Sequence, residues 1–297
     1  MISNKESQNL NDYLNNNNIQ LVENKEFMYP CTFALILCCI IYYSAYENNN
    51  YTCNNIIVNT YLYVLLSLVL FHIFTLVFVK FKSIKYLSLF IKKTGLIVYF
   101  IVLLGLLLGI FYIFESLHIN IFGSHIVLLL LIMIFSYFFS YMYILLNLQG
   151  LYRQVIITTC LTVFALLSLF YFKKDEVVEY ISNNNNYTIF VVVFMIVVLF
   201  QFVYYFLFGY SKIIRIIVAS IVILCFMFLL ITDTQKILQI TPENCKKALE
   251  MCKDDITNVG CEIDNYPSYP QKSFDIFHDI IILARNIAQI YLATNND

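Results

Sequence analysis

Eight stretches of this chain run for about twenty residues with almost no charge, at approximately 27–46, 56–79, 94–113, 125–146, 155–172, 187–208, 213–232 and 274–293. The hydrocarbon of a bilayer is crossed by about 20 apolar residues in helical form. Within lipid every backbone N–H and C=O must find its partner inside the protein, which leaves only helices and closed barrels. Barrel strands alternate between apolar and polar, whereas these runs are continuous, so a barrel is excluded. The expected fold is all-α, a polytopic transmembrane helical bundle of seven or eight helices. The count is open at its two ends, since the first segment contains Pro30 and the last is amphipathic.

Composition removes the soluble alternative. Hydrophobic residues make up 61% of the chain and charged residues 12%, about half the charged share of a soluble domain. Eighteen basic against nineteen acidic residues give a net charge of -1, so no cationic field exists to hold nucleic acid as the main partner. Membrane lipid is the obligatory partner, with other membrane proteins as candidates.

The polar punctuation divides the chain into four parts. Residues 1–26 form an Asn-rich tail, read as disordered, without the basic-then-apolar pattern of a cleaved signal peptide. Residues 27–239 hold the first seven apolar segments, 240–273 form a polar Cys-containing loop, and 274–293 are the amphipathic last transmembrane helix. The Asn runs at 48–50 and 183–186 read as loop filler.

Loop charge sets an orientation. The second and third segments are joined by a stretch with Lys80, Lys82, Lys85, Lys92 and Lys93 and no acid, which the positive-inside rule places in the cytosol. Eight crossings then put the N-terminus, Arg153, Lys212 and the C-terminus inside. The opposite side receives the sequons at Asn50 and Asn186 together with Cys53, Cys245, Cys252 and Cys261. Lys173 and Lys174 also fall there, a counter-signal accompanied by Asp175, Glu176 and Glu179.

Cys31, Cys38, Cys39, Cys160 and Cys225 lie in apolar segments, where a thiol behaves as a small hydrophobe. Cys245, Cys252 and Cys261 have no neighbouring His and no CxxC spacing, which argues against zinc. In an oxidising compartment a disulfide among them, or with Cys53, is expected.

An ionisable group in the membrane costs about 2.5 to 3.5 kcal/mol even on the lenient insertion scale, so each is a functional candidate. The spans offer His72, Glu115, Asp233, Asp275, His278, Asp279 and Arg285. His72 reads as a hydrogen-bonded packing residue, and Glu115 as either a water-interface marker or a pathway residue. On a helical wheel Asp275, His278, Asp279, Arg285, Asn286 and Gln289 share one arc of about 120°. Such a stripe either lies flat in the headgroups or faces the bundle interior. Its acids favour the interior, because surface helices prefer Lys and Arg. Asp233 sits at the C-terminal end of the seventh segment, where the helix dipole opposes negative charge. The spacing of Gly105 and Gly109 makes a smooth stripe for helix packing, within the bundle rather than between copies. One His among two acids is too few ligands for a catalytic metal, so no enzyme activity and no cofactor are expected.

The run from Phe226 through Thr232-Asp233-Thr234-Gln235 to Leu238 resembles the signature of the Bax inhibitor-1 family, whose penultimate helix ends in Asp-Thr-Gln followed by aliphatics. Ile276 to Leu283 resembles that family's last helix, with looser similarity at Phe33-Ala34-Leu35, Thr94-Gly95-Leu96 and 132–143. The resemblance implies a seven-helix bundle of the endoplasmic reticulum or Golgi that leaks calcium, responds to pH and dampens cell death or stress. It also implies that Asp233 and Asp279 are the paired carboxylates of its gate, a transient site for calcium and protons, with calcium as permeating ion rather than cofactor. Asp275, His278, Glu115 and Arg285 are the candidate pathway residues. Two carboxylates in a poorly solvated place titrate as one coupled unit, and once ionised they offer oxygen ligands to a hard cation. The rival expectations are a secondary transporter of a small solute and a non-conducting scaffold that binds partner proteins.

Overall fold

In the computed structural model residues 22–23, 25–47, 50–82, 109, 121–172, 212–252 and 263–295 are described. Seven α-helices occur among them: α1 (Lys25–Ala45), α2 (Ile56–Lys80), α3 (Ile121–Leu148), α4 (Tyr152–Phe172), α5 (Lys212–Leu238), α6 (Pro242–Met251) and α7 (Tyr269–Thr294). Five of these, α1, α2, α3, α5 and α7, are long and apolar enough to cross a membrane, and α4 carries a shorter apolar helix over Tyr152–Ser168. The protein is therefore an all-α integral membrane protein. Six of the eight apolar segments coincide with helices; those at 94–113, apart from Gly109, and at 187–208, with Gly105 and Glu115, lie outside the described residues.

The helices end where local chemistry ends them. Pro30 lies inside α1 and, lacking an N–H, leaves the Glu26 carbonyl without its helical donor. After α3 the N–H of Leu151 donates to Leu146 O at 2.8 Å and that of Gly150 to Asn147 O at 3.1 Å. This is the double bond of a Schellman cap, and it needs the left-handed Gly150 at φ 70°. The polar stretch after α5 contains a helix of its own. Thr241 accepts from the Asn244 N–H at 3.2 Å, Pro242 fills the first helical position where no donor is required, and Cys245 and Ala248 turn inward. The last helix begins at Tyr269 rather than Phe274.

The chain divides into two units. The first comprises residues 20–141 and 236–277. In it α1 buries only Ala34, Leu37, Ile41 and Ala45, a narrow stripe at helical spacing, and leaves Tyr29, Leu35 and Tyr43 exposed as lipid-facing bulk would be. Lys80 Nζ lies 5.3 Å from the centre of the Phe27 ring, which fixes α1 and α2 antiparallel. They are joined by a two-strand hairpin, β1 (Tyr46–Glu47) and β2 (Asn50–Tyr51), in register Tyr46 to Tyr51. A disulfide links Cys53 to Cys245. The second unit comprises residues 1–19, 142–235 and 278–297. Among its contacts are the rings of Tyr143 and Tyr152 at 4.6 Å and the hydroxyls of Thr158 and Tyr291 at 3.0 Å.

Candidate functional site

The second unit holds both aspartates singled out by sequence. On α5, Val218, Val222 and Phe226 recur every fourth residue and form a buried cluster, against which Ile282 of α7 packs. The Phe226 and His278 rings meet edge to face at 5.8 Å. Those contacts make α5 and α7 neighbours at the level of Phe226 and His278, with Asp233 about 10 Å further along α5. Asp279 follows His278 directly and is 3% exposed; its Oδ1 lies 3.6 Å from His278 Nδ1. Asp233 is two helical turns beyond Phe226, hence on the same side of α5, and half-buried.

The residues around Asp233 prepare its setting. Thr232 and Thr234 fold their hydroxyls back onto Leu229 O and Leu230 O, each at 2.7 Å, so neither leaves a donor idle in an apolar wall. Gln235 is buried, and among the described residues its Oε1 accepts no hydrogen bond.

The polar arc of α7 divides. Asp279 and Asn286 are buried, with Asn286 Nδ2 donating to Ile282 O at 2.8 Å. His278 and Gln289 are half-buried, while Asp275 and Arg285 are exposed. Only the edge of the arc that carries Asp279 and Asn286 therefore points inward. In the first unit Asp275, Asp264 and Lys236 are the charged groups near Lys272, whose Nζ donates to Asp264 O at 2.8 Å. Arg215 of α5 is the charged neighbour of Arg285. Gly109 is exposed, and a Cβ there would meet no described atom within 4 Å. No group of three or more His, Cys, Asp or Glu that could hold a metal ion exists among the described residues.

A second polar cluster, at the disulfide end of the first unit, escaped sequence reasoning. His125 Nε2 lies 2.8 Å from the Tyr46 hydroxyl and 2.7 Å from the Tyr63 hydroxyl, and the two hydroxyls bond each other. The Tyr51 hydroxyl meets Ser124 Oγ at 3.1 Å. The Tyr269 hydroxyl donates to Thr52 O and its ring stacks on Tyr63 at 6.0 Å. Asn59, fully buried, donates to Ser44 O and Asn54 O, each at 3.0 Å. Burial pushes the Tyr46 hydroxyl up to about 12, against hydrogen bonds from Tyr63 and Tyr51 that hold it down. The signal was present in the sequence as Asn59, Tyr63 and Ser67 at four-residue spacing, a polar line on one face of an apolar helix.

These features define a polytopic helical membrane protein with a buried acid, Asp279, on its last long helix. A family model described as Bax1-I, Inhibitor of apoptosis-promoting Bax1, matches residues 53–297. The chain belongs to the Bax inhibitor-1 family. Searches of curated proteins and of solved structures found no match.

Proposed function

We propose that the protein is a pH-sensitive, calcium-permeable leak channel of endomembranes, gated by Asp233 and Asp279, that modulates cell death or stress. The observation that carries the reading is Asp279, a carboxyl 3% exposed on a membrane-spanning helix packed against the helix that bears Asp233. A buried acid in a span is expensive and is retained for a pathway or a proton. Calcium takes six to eight oxygens in a storage site, far more than two carboxylates supply, which suits transit rather than residence. The ion is cargo, and neither a cofactor nor enzymatic chemistry enters. Its partners are lipid, calcium, protons and other membrane proteins.

The disulfide supports a lumenal assignment for one end of the bundle. Cys53 and Cys245 are paired, and Cys252 is disulfide-bonded too, which requires an oxidising compartment. Lys80 and Lys82 at the far end of α2 then face the cytosol, as loop charge demands. The lumen of the endoplasmic reticulum or Golgi satisfies both. The test is calcium efflux from proteoliposomes across a pH series: rates that rise and fall with pH in the parent and lose that dependence in Asp279→Asn support the reading. Identical profiles for parent and variant overturn it.

A further inference from the structure

The triangle of His125, Tyr46 and Tyr63 has a hydrogen count that points to a ligand. His125 Nδ1 lies 2.5 Å from Ile121 O. A carbonyl only accepts, so Nδ1 carries the hydrogen and the neutral ring presents a bare lone pair at Nε2. Two hydroxyl hydrogens must then serve three contacts, Tyr46 with His125, Tyr63 with His125, and Tyr46 with Tyr63. One contact is left with lone pair facing lone pair. A proton on Nε2 supplies the missing hydrogen. The new N–H is shared by the two oxygens, Tyr63 donates to Tyr46, and Tyr46, half-exposed, turns its own hydrogen to water. Tyr63, 2% exposed, has no such outlet, which fixes the direction of the chain.

We propose that His125, Tyr46 and Tyr63 form a proton-binding site at the disulfide-bearing end of the bundle, distinct from Asp233 and Asp279, whose occupation fastens the 46–51 hairpin to α2 and α3. The three residues come from the hairpin, α2 and α3, so any gain in their bonding ties those three elements. The Tyr63 ring, 5.6 Å from the imidazole, is within reach to stabilise an imidazolium. The titratable groups against the ring are Tyr46 from the hairpin and Tyr63 from α2; beyond them, Tyr51 packs on Tyr46, Tyr269 at the start of α7 stacks on Tyr63, and Tyr266, just before α7, meets Tyr51. All are neutral at physiological pH. Glu47, next to Tyr46, is exposed, and among the described residues no charged group acts on His125. The site thus takes up a proton without an acid partner, and its response is carried by hydrogen bonds instead of an ion pair.

The test uses the full chain in lipid nanodiscs, with nitrogen-15 histidine spectra and backbone hydrogen exchange followed from about pH 8 to about pH 5. The chain has four histidines, and His125→Gln identifies the resonance. At the upper pH the His125 hydrogen is expected on Nδ1, and acidification adds one to Nε2. Exchange in the 46–55 segment, corrected for intrinsic rate, slows about tenfold on acidification, as a hydrogen bond to a charged group implies. Asp279→Asn keeps that slowing, whereas His125→Gln abolishes it. Tyr63→Phe keeps the ring stacked on Tyr269 and weakens the response. A hydrogen on Nε2 at the upper pH, an imidazole neutral throughout, or equal slowing in His125→Gln overturns the proposal. Loss of the slowing in Asp279→Asn overturns its separation from the aspartates while leaving the leak reading standing.

Discussion

Removing the Cys53–Cys245 disulfide by a paired Cys53→Ser, Cys245→Ser substitution tests the architecture of the first unit. The bond closes a loop with a sequence separation of 192, for which chain entropy gives a stabilisation of about 5 kcal/mol. Helices that stay in lipid when disordered have less freedom to lose, so the expected cost is about 2 to 4 kcal/mol, with the loop formula as ceiling. At about 2 °C per kcal/mol for a chain of this size, the midpoint of thermal unfolding falls by about 4 to 8 °C. Both half-cystines are buried, at 5% and 0% exposure, so native protein should resist alkylation even with mild reductant. Scanning unfolding in detergent, with mass spectrometry of thiols alkylated before and after denaturation, measures both quantities. An unchanged midpoint, or ready labelling of Cys53 and Cys245 in the folded, unreduced protein, would refute the staple and the lumenal assignment built on it.

Gly150→Ala should destabilise the α3–α4 turn by about 1 kcal/mol, because a Cβ is strained at its left-handed φ; unfolding midpoints of the two proteins decide. Thr241→Ala removes the cap of α6 and should cost about 1 kcal/mol of that helix, seen as faster amide exchange confined to 242–251. For Tyr46 the folded hydroxyl titrates at about 12 against about 10 in an unfolded chain. The folded state therefore holds its proton more tightly, so stability is full below about pH 10 and declines as pH rises toward about 12. The difference in alkaline phenolate absorbance between parent and Tyr46→Phe should show one step near the upper value, and a step near the lower one would contradict the burial.

Helices were legible because their signal is long. A run such as 213–232 announces itself by hydropathy alone, and α5 adds only Lys212 before it and residues 233–238 after it. The Cys53 pairing was readable as one option among several, since composition names the compartment while only the fold chooses the partner. Asp279 stood out because a carboxylate among isoleucines is costly wherever it lies. The division of the α7 arc was not legible: a helical wheel places Asp275 and Asp279 together, but burial varies along the axis as well as around it. The tyrosine cluster showed only as the polar line of Asn59, Tyr63 and Ser67 on α2. Tyr and Phe look alike as lipid-facing bulk in a sequence, and only the meeting of Tyr46, Tyr63 and His125 across three elements gives the hydroxyls a use. The helix at Pro242–Met251 was hidden inside a stretch that reads as polar loop, although Thr241-Pro242 is itself a start signal.

The gate is tested most directly by a double-mutant cycle on calcium flux. Efflux is measured in proteoliposomes at acidic and neutral pH for the parent, Asp233→Asn, Asp279→Asn and the double variant. If the two carboxyls act as one unit, each single change removes the pH response and the double change removes no more, giving a large coupling between sites. Additive losses, or a pH response that survives in the double variant, would contradict a paired-aspartate gate.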